Sequence, residues 1–459
     1  NYRRYFAGQV VSLIGNWMQI VAEMWLVVKL TGSGVSVGLT AGLQFLPILL
    51  FGALGGVVAD RHDKRRLLQY TQALMAVPAL ALWALTLSGT VEIWMVYVLV
   101  LVRGTVNAID NPARQALVSE LVGTDRLVNA VSLNSVIVHT ARIVGPALAG
   151  TLIALFGVGP CFLVNSLSFG AMLIALRAID PDELHDGGRR TAPAKGQVRE
   201  ALREVLARPD LRIPLAMMVV IGTLSFNFQV LLPLLAKFTW HGTAASYALL
   251  TGAMGVGSVL GALAAGARGR VSPRLLTLSA AAFGLAQLAA AAAPTIELQI
   301  LALIPLGAAS VTFAAGVNSS LQLGAPPELR GRIMALYMVV FVGSTPIGSP
   351  LVGWLAEVSG PRAGLVLGGA AALLAALGAQ VAHRRALTRA DGETPTVNRA
   401  WVSGPIPTSA TARPTSGCTV PPDTTRHPLR RPRRPQSPHP SAAPAASSPR
   451  SSPASSRSR

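Results

Sequence analysis

Apolar stretches dominate the chain, and short polar breaks divide them at nearly regular intervals. About 20 apolar residues in an α-helix cross the roughly 30 Å hydrocarbon core of a bilayer. Twelve stretches are long enough, over residues 6–29, 36–59, 68–88, 91–112, 129–156, 159–178, 211–236, 246–267, 273–293, 296–318, 332–357 and 362–383. Several breaks are minimal, such as Thr31-Gly32-Ser33-Gly34 and Ser88-Gly89-Thr90. The pattern predicts an all-α integral membrane protein.

Charge sets the expected orientation. Alternate loops hold Arg3 and Arg4, then Arg61, Lys64, Arg65 and Arg66, and so on to Arg384, Arg385 and Arg389, for 24 Lys and Arg in all. The opposite loops hold only Lys29, Lys237 and Arg362. Positive loops stay in the cytoplasm, so both termini are expected there, in a multi-pass protein of the cell membrane. The even number of spans agrees. The first apolar run reads as a true span rather than a cleavable signal.

Composition supports the membrane reading. Only 13% of residues are charged and 51% are hydrophobic, whereas a soluble domain carries about 25% charged residues. The formal charge of +19 does not point to nucleic acid, because most of it lies in short loops between spans. The segment from Asp391 to Arg459 adds ten Arg against Asp391, Glu393 and Asp423. Cys161 and Cys418 are the only cysteines, so neither a disulfide framework nor a cysteine metal site is implied, and no cofactor is expected.

The two halves resemble each other at an offset of 205 residues. This shift lays 261–270 on 56–65 and 331–335 on 126–130, and it brings Ser349-Pro350 within one residue of Gly145-Pro146. Parallel repeats of this kind are a common transporter plan, with the substrate between the halves. Four regions are expected: an N-terminal six-helix bundle (1–178), a cytoplasmic linker with an amphipathic helix (179–210), a C-terminal six-helix bundle (211–385) and a Pro/Ser/Arg-rich tail (386–459). In the linker, Val198, Leu202 and Val205 recur at helical spacing; a helix on the membrane face and a solvated linker helix both fit. The tail cannot bury enough apolar surface to fold and is expected to be disordered.

Ionisable residues inside spans are costly and mark function by default. Glu23 lies in the first span, Arg103 and Asp110 in the fourth, and His139 and Arg142 in the fifth. Ser12, Asn16, Gln19 and Glu23 share one helix face, as do Arg103, Asn107, Asp110 and Arg114, and Ser135, His139 and Arg142. Such faces line water or pair with one another. One reading is a static buried pair, for example Glu23–Arg142. The other is a cavity lined by Asn16, Gln19, Arg103, Asn107, His139 and Arg142, in which Glu23 exchanges a proton. Asp110 is a second proton-coupling candidate and, with Arg114, a candidate gate. The second half offers Asn227 and Asn318 as uncharged ligand contacts. Helix-breaking prolines, including Pro47, Pro146, Pro233 and Pro346, sit inside spans, where neighbours can satisfy the freed carbonyls.

The loop Gly56-Val-Val-Ala-Asp60-Arg61-His-Asp63-Lys64-Arg65 resembles the loop 2–3 motif of the major facilitator superfamily. Arg103-Gly104, Gly145-Pro146-Ala-Leu-Ala-Gly150 and Glu328-Leu-Arg330-Gly331-Arg332 are further matches. Gly15-Asn16-Trp17-Met18, Leu30-Thr31-Gly32-Ser33 and Asp110-Asn-Pro112-Ala-Arg114-Gln look like the branch of enterobactin-type siderophore exporters and macrolide efflux pumps. The resemblance covers about residues 1–385. It implies two six-helix bundles, alternating access and export of a small molecule against protons. It also implies gating by Asp60, Arg61, Lys64, Arg65, Arg114, Gly145 and Pro146, with Asp60 latched to Arg114 and to the start of the eleventh span. Two departures stand out: Asp63 replaces the loop motif's second Gly, and the fifth-span motif is short of a full antiporter signature.

No HExxH, GxSxG or paired intramembrane aspartates point to an enzyme. The expected partners are a small-molecule substrate, protons and the bilayer. Siderophore and macrolide ligands both remain open, as does import. A membrane sensor or assembly partner on the same scaffold is the alternative of another class.

Overall fold

The computed structural model describes residues 1–185, 197–268 and 272–392. Asn1–Pro395 form one compact unit, and the expected disordered tail lies, from residue 393, outside the described residues. Helices account for nearly all of this unit, with no strand among the described residues. The spanning helices of the first half are α1 (Tyr2–Thr31), α2 (Gly34–Arg61), α3 (Lys64–Ser88), α4 (Ile93–Gly123), α5 (Asn129–Phe156) and α6 (Gly159–Arg177). A short helix, α7 (Gln197–Ala207), precedes α8 (Pro209–Thr239), α9 (Ala244–Arg268), α10 (Pro273–Ala292), α11 (Ile296–Gly324), α12 (Arg330–Ser359) and α13 (Pro361–Gly392). Twelve of the thirteen are long and apolar enough to cross a membrane.

Most helices outrun the predicted apolar stretches. The last continues beyond the predicted end at 383 to Gly392. α4 does not stop at Pro112 but runs on to Gly123, whose left-handed φ of 67° turns the chain toward α5. Hydropathy misses these extensions because helices keep their hydrogen bonds beyond the hydrocarbon core, where polar side chains are tolerated. α8 is interrupted: it breaks at Ser225–Asn227 and closes with a π-helical turn at Leu235–Thr239.

Small residues set the packing, since they let backbones approach where lipid gives no hydrophobic drive. α1 packs on α5 and α6, α2 on α4, and α3 on α4 and α6. In the second half α9 packs on α11, α10 on α11 and α13, and α8 on α12 and α13. The two six-helix bundles meet along α2–α12 and α5–α9. At the α2–α12 seam a Cβ on Gly34 would strike the Gly353 carbonyl oxygen, and one on Gly38 the Ser349 carbonyl oxygen. Glu357 of α12 accepts from Ser33 Oγ at 2.6 Å and from Val35 N at 3.0 Å, tying down the start of α2. Gly150 of α5 faces Ala248 of α9. These contacts run from the end opposite the basic loops to mid-depth.

α7 turns Ala201 and Val205 inward against α8 and α12, while Leu202 and Leu206 are exposed. Of the apolar residues that the sequence puts at helical spacing, Val205 is thus covered by protein and Leu202 is not. Glu200 pairs with Arg332 of α12, so packing on the helices determines the face.

Candidate functional site

Glu23 is fully buried. Gln19, one turn earlier on α1, donates to its Oε1 at 2.6 Å, and Arg103 Nη2 of α4 donates to its Oε2 at 2.6 Å. Asn165 of α6 donates to Gln19 Oε1, and Ser168 donates to Asn165 Oδ1 at 3.0 Å. A polar chain thus runs Arg103–Glu23–Gln19–Asn165–Ser168 through apolar surroundings. Gly15 makes room for it, since a Cβ there would lie 2.5 Å from both Asn165 Oδ1 and Ser168 Oγ. Charge-assisted hydrogen bonds are the strong ones, and here both oxygens of Glu23 are engaged.

The partner of Glu23 is Arg103 and not Arg142, the example drawn from the sequence. Periodicity places Glu23 on a polar face without saying which neighbouring helix that face meets; α4 and α6 meet it.

A separate cavity of about 680 Å³ lies at mid-depth between the halves. Of the residues proposed from the sequence as cavity-lining, Arg142, Asn227 and Asn318 line it. Asn16, Gln19, Arg103, Asn107 and His139 do not. Gln19 and Arg103 belong to the buried chain, because α1 turns Trp17, Ile20 and Val21 to the cavity and carries Gln19 and Glu23 on its other side. Asn16 and Asn107 are half-buried and make no side-chain hydrogen bond among the described residues. His139 is half-buried, and its enclosed Nδ1 has no hydrogen-bond partner among the described residues.

The break in α8 forms part of the cavity wall. Asn227 Nδ2 donates to the Thr223 carbonyl at 2.7 Å, and Ser349 Oγ of α12 donates to Asn227 Oδ1 at 3.0 Å. Ser225 Oγ donates to the Gly368 carbonyl at 2.7 Å. Irregular backbone at membrane depth is tolerated where it is buried in protein or lines a cavity. Gln229 of α8 donates to Gln44 Oε1 of α2 at 2.9 Å, bridging the halves. Asn318 Oδ1 accepts from Gln322 at 2.7 Å.

At the basic end, Asp110 is almost fully buried. Its Oδ1 accepts from Thr71 and Gln72 at 2.7 and 2.8 Å, and its Oδ2 from Arg114 Nη2 at 2.8 Å. The expected latch between Asp60 and Arg114 is absent from this conformation: Asp60 is exposed and forms no ion pair among the described residues. Arg114 instead reaches one turn back along its own helix. Asp60 and Lys64 face a second cavity of about 1140 Å³, in which Lys64 pairs with Glu120 at 3.1 Å. Arg65 donates to the carbonyls of Leu176 and Arg177 at 2.8 and 2.9 Å, capping α6. Arg61 is exposed. Gly145 brings α5 within 3.0 Å, measured from a Cβ position, of the Ile14 carbonyl oxygen and Met18 N of α1, and Pro146 follows it inside a continuous helix.

Asn165, Thr71, Gln72, Gln44 and Ser349 were not among the site residues that the sequence pointed to. Asn165 carried a usable signal, as a lone amide inside the apolar run 159–178. The others are unremarkable polar residues until the helices are packed.

This helical fold is matched among solved structures. A nucleoside transporter structure superposes with a TM-score of 0.67 at 12% identity, covering 83% of this chain and 98% of that one. In sequence, the profile of the family described as transmembrane secretion effector matches residues 1–414. The chain belongs to this family, within the major facilitator superfamily. The match extends past the 385 residues expected to share the resemblance. Among curated relatives, the staphyloferrin A transporter of Staphylococcus aureus is 25% identical, over 78% of this chain and 89% of its own. Macrolide efflux protein A of Streptococcus pyogenes is 25% identical, over 79% and 91%. The enterobactin exporter of Citrobacter koseri is 27% identical, over 80% and 88%. The protein is accordingly a multi-pass membrane transporter and not an enzyme.

Proposed function

We propose that this protein exports a small amphipathic molecule by alternating access, driven by protons that Glu23 takes up outside and releases inside. The buried Glu23–Arg103 pair is the observation that carries the coupling. A charged pair sealed in a membrane interior is costly to build and to break, and protonation of Glu23 removes the charge that holds Arg103. In the conformation described here the pair is made, which suits a carboxylate that has already given up its proton. The seam of α2 with α12 closes the end opposite the basic loops, while the cavity extends along α11 and α12 toward Asn318 and Tyr337, nearer the basic end. With the basic end in the cytoplasm, this is the state that loads substrate from inside.

The 1–178 and 211–385 halves act as the rocking bodies, and Glu200–Arg332 docks the connecting segment 179–210 on the second half. Asp110 holds Arg114 in this state. Asp60 exchanges onto Arg114 in the opposite one, making the basic-end latch. The relatives' named cargoes frame the ligand as siderophore-like or drug-like. The test is ligand accumulation in inside-out vesicles with an acidic lumen, using a catecholate siderophore, a macrolide and a hydrophobic dye. Accumulation of one ligand that collapses when the gradient is dissipated is the expected result. Accumulation without a gradient, or none with any ligand, contradicts the reading.

A further inference from the structure

We infer that the central cavity is a binding site for organic anions and that Arg142 selects them. This rests on the exporter reading and names the ligand class that the cavity takes. Arg142 is the only charged residue on the cavity wall among the described residues. Its guanidinium carbon lies 4.8 Å from the centroid of the Trp17 ring, which holds the side chain against the wall. A cation over an indole face is favoured electrostatically, but the ring supplies no hydrogen-bond acceptor. Arg142 has no ion pair or hydrogen bond among the described residues.

The carboxylates that could neutralise it are committed elsewhere. Glu23 holds Arg103 and Gln19, Asp110 holds Arg114 with Thr71 and Gln72, and Glu357 holds the start of α2. A cationic ligand in this cavity therefore meets an unneutralised positive charge and no negative one. An anion meets a planar fork of five N–H donors, which fits a carboxylate or sulfonate through two parallel hydrogen bonds. Charged groups within spans face cavities and mark substrate paths, and Arg142 is placed in that way.

The rest of the wall describes the ligand's body. Seven aromatic side chains line the cavity, including Trp17, Phe226, Tyr247 and Phe341, in a chain with only 5% aromatic residues. Phe226 packs against Phe341 with centroids 6.1 Å apart. The neutral amides Asn227, Gln229 and Asn318 add hydrogen-bonding capacity without charge. A volume of about 680 Å³ is that of a drug-sized site. The ligand class is an amphipathic anion with an aromatic body, and cationic macrolide-like drugs are the disfavoured class.

Fluorescein and rhodamine 6G share a xanthene core and differ in charge sign, so they separate charge from shape. Equilibrium binding of each to the full chain in nanodiscs of zwitterionic lipid, read by fluorescence anisotropy, needs no gradient. The wild type is expected to bind fluorescein at least about tenfold more tightly than rhodamine 6G, roughly 1.4 kcal/mol. Arg142→Gln, checked for a single size-exclusion peak, is expected to lose about tenfold in fluorescein affinity and to bind rhodamine 6G more tightly than the wild type does. Arg142→Lys, which keeps the charge without the fork, is expected to fall between them.

Wild type that binds rhodamine 6G as tightly as fluorescein, or binds neither, overturns the inference without recourse to any variant. So does a folded Arg142→Gln variant with unchanged fluorescein affinity. A dye that binds but never accumulates in vesicles counts against the exporter reading alone. Accumulation of a cation with no anion binding counts against the anion site alone.

Discussion

Glu23 and Arg103 share one hydrogen bond that is also an ion pair, with no exposed surface on the carboxylate side. Removing one partner of such a pair costs about 3–5 kcal/mol, because the other is left charged and uncompensated, whereas replacing both with neutral groups can be close to neutral. Glu23→Gln is therefore expected to lower thermal stability in detergent. The double variant Glu23→Gln with Arg103→Gln is expected to recover most of that loss and still fail to transport against a gradient. Recovery of both stability and gradient-driven transport would make the pair purely structural. The sequence showed that Glu23, Gln19 and Asn16 share a face, since that follows from helical period alone. It could not show that Gln19 meets Asn165 or that Arg103, not Arg142, meets Glu23, because partner choice depends on how α1, α4, α5 and α6 rotate against one another.

The seam between α2 and α12 depends on glycines in both helices. A leucine at Gly353 would drive its side chain into the Gly34 backbone and hold the helices apart. Gly353→Leu is expected to reduce transport about tenfold or more, measured as initial rate in vesicles, because the sealed end can no longer close. An unchanged rate would show that the seam is not part of the cycle. In α8, Asn227→Leu frees the Thr223 carbonyl and the Ser349 hydroxyl, each buried polar loss costing about 1–3 kcal/mol. A clear drop in melting temperature is expected, and an Asn227→Ser variant is expected to drop less. Span number and order were legible because each apolar run is long enough to cross a bilayer and the breaks are polar. The interruption at Ser225–Asn227 was not, since it lies within a continuous apolar run and depends on hydrogen bonds that Ser225 donates to Gly368, Asn227 to Thr223 and Ser349 to Asn227. Which apolar residues of α7 are covered was not legible for a similar reason, as α8 and α12 decide it.

At the scale of the whole molecule, the loop charges, the repeat between halves and the closed seam at one end point to the same working arrangement. In the proposed cycle the basic end faces the cytoplasm, the cavity loads from that side, and outward release follows when the α2–α12 and α5–α9 contacts open. Coupling then requires a proton to cross with each cycle in the direction opposite to substrate. This is tested most directly in inside-out vesicles preloaded to an acidic lumen, by following lumen pH with a quenched acridine dye as the transported ligand is added outside. Wild-type vesicles are expected to lose their pH gradient faster on addition of ligand, and Glu23→Gln vesicles with equal protein to show no ligand-dependent change. Ligand-dependent proton efflux that persists in Glu23→Gln would contradict the account, since the proton would then travel through another group.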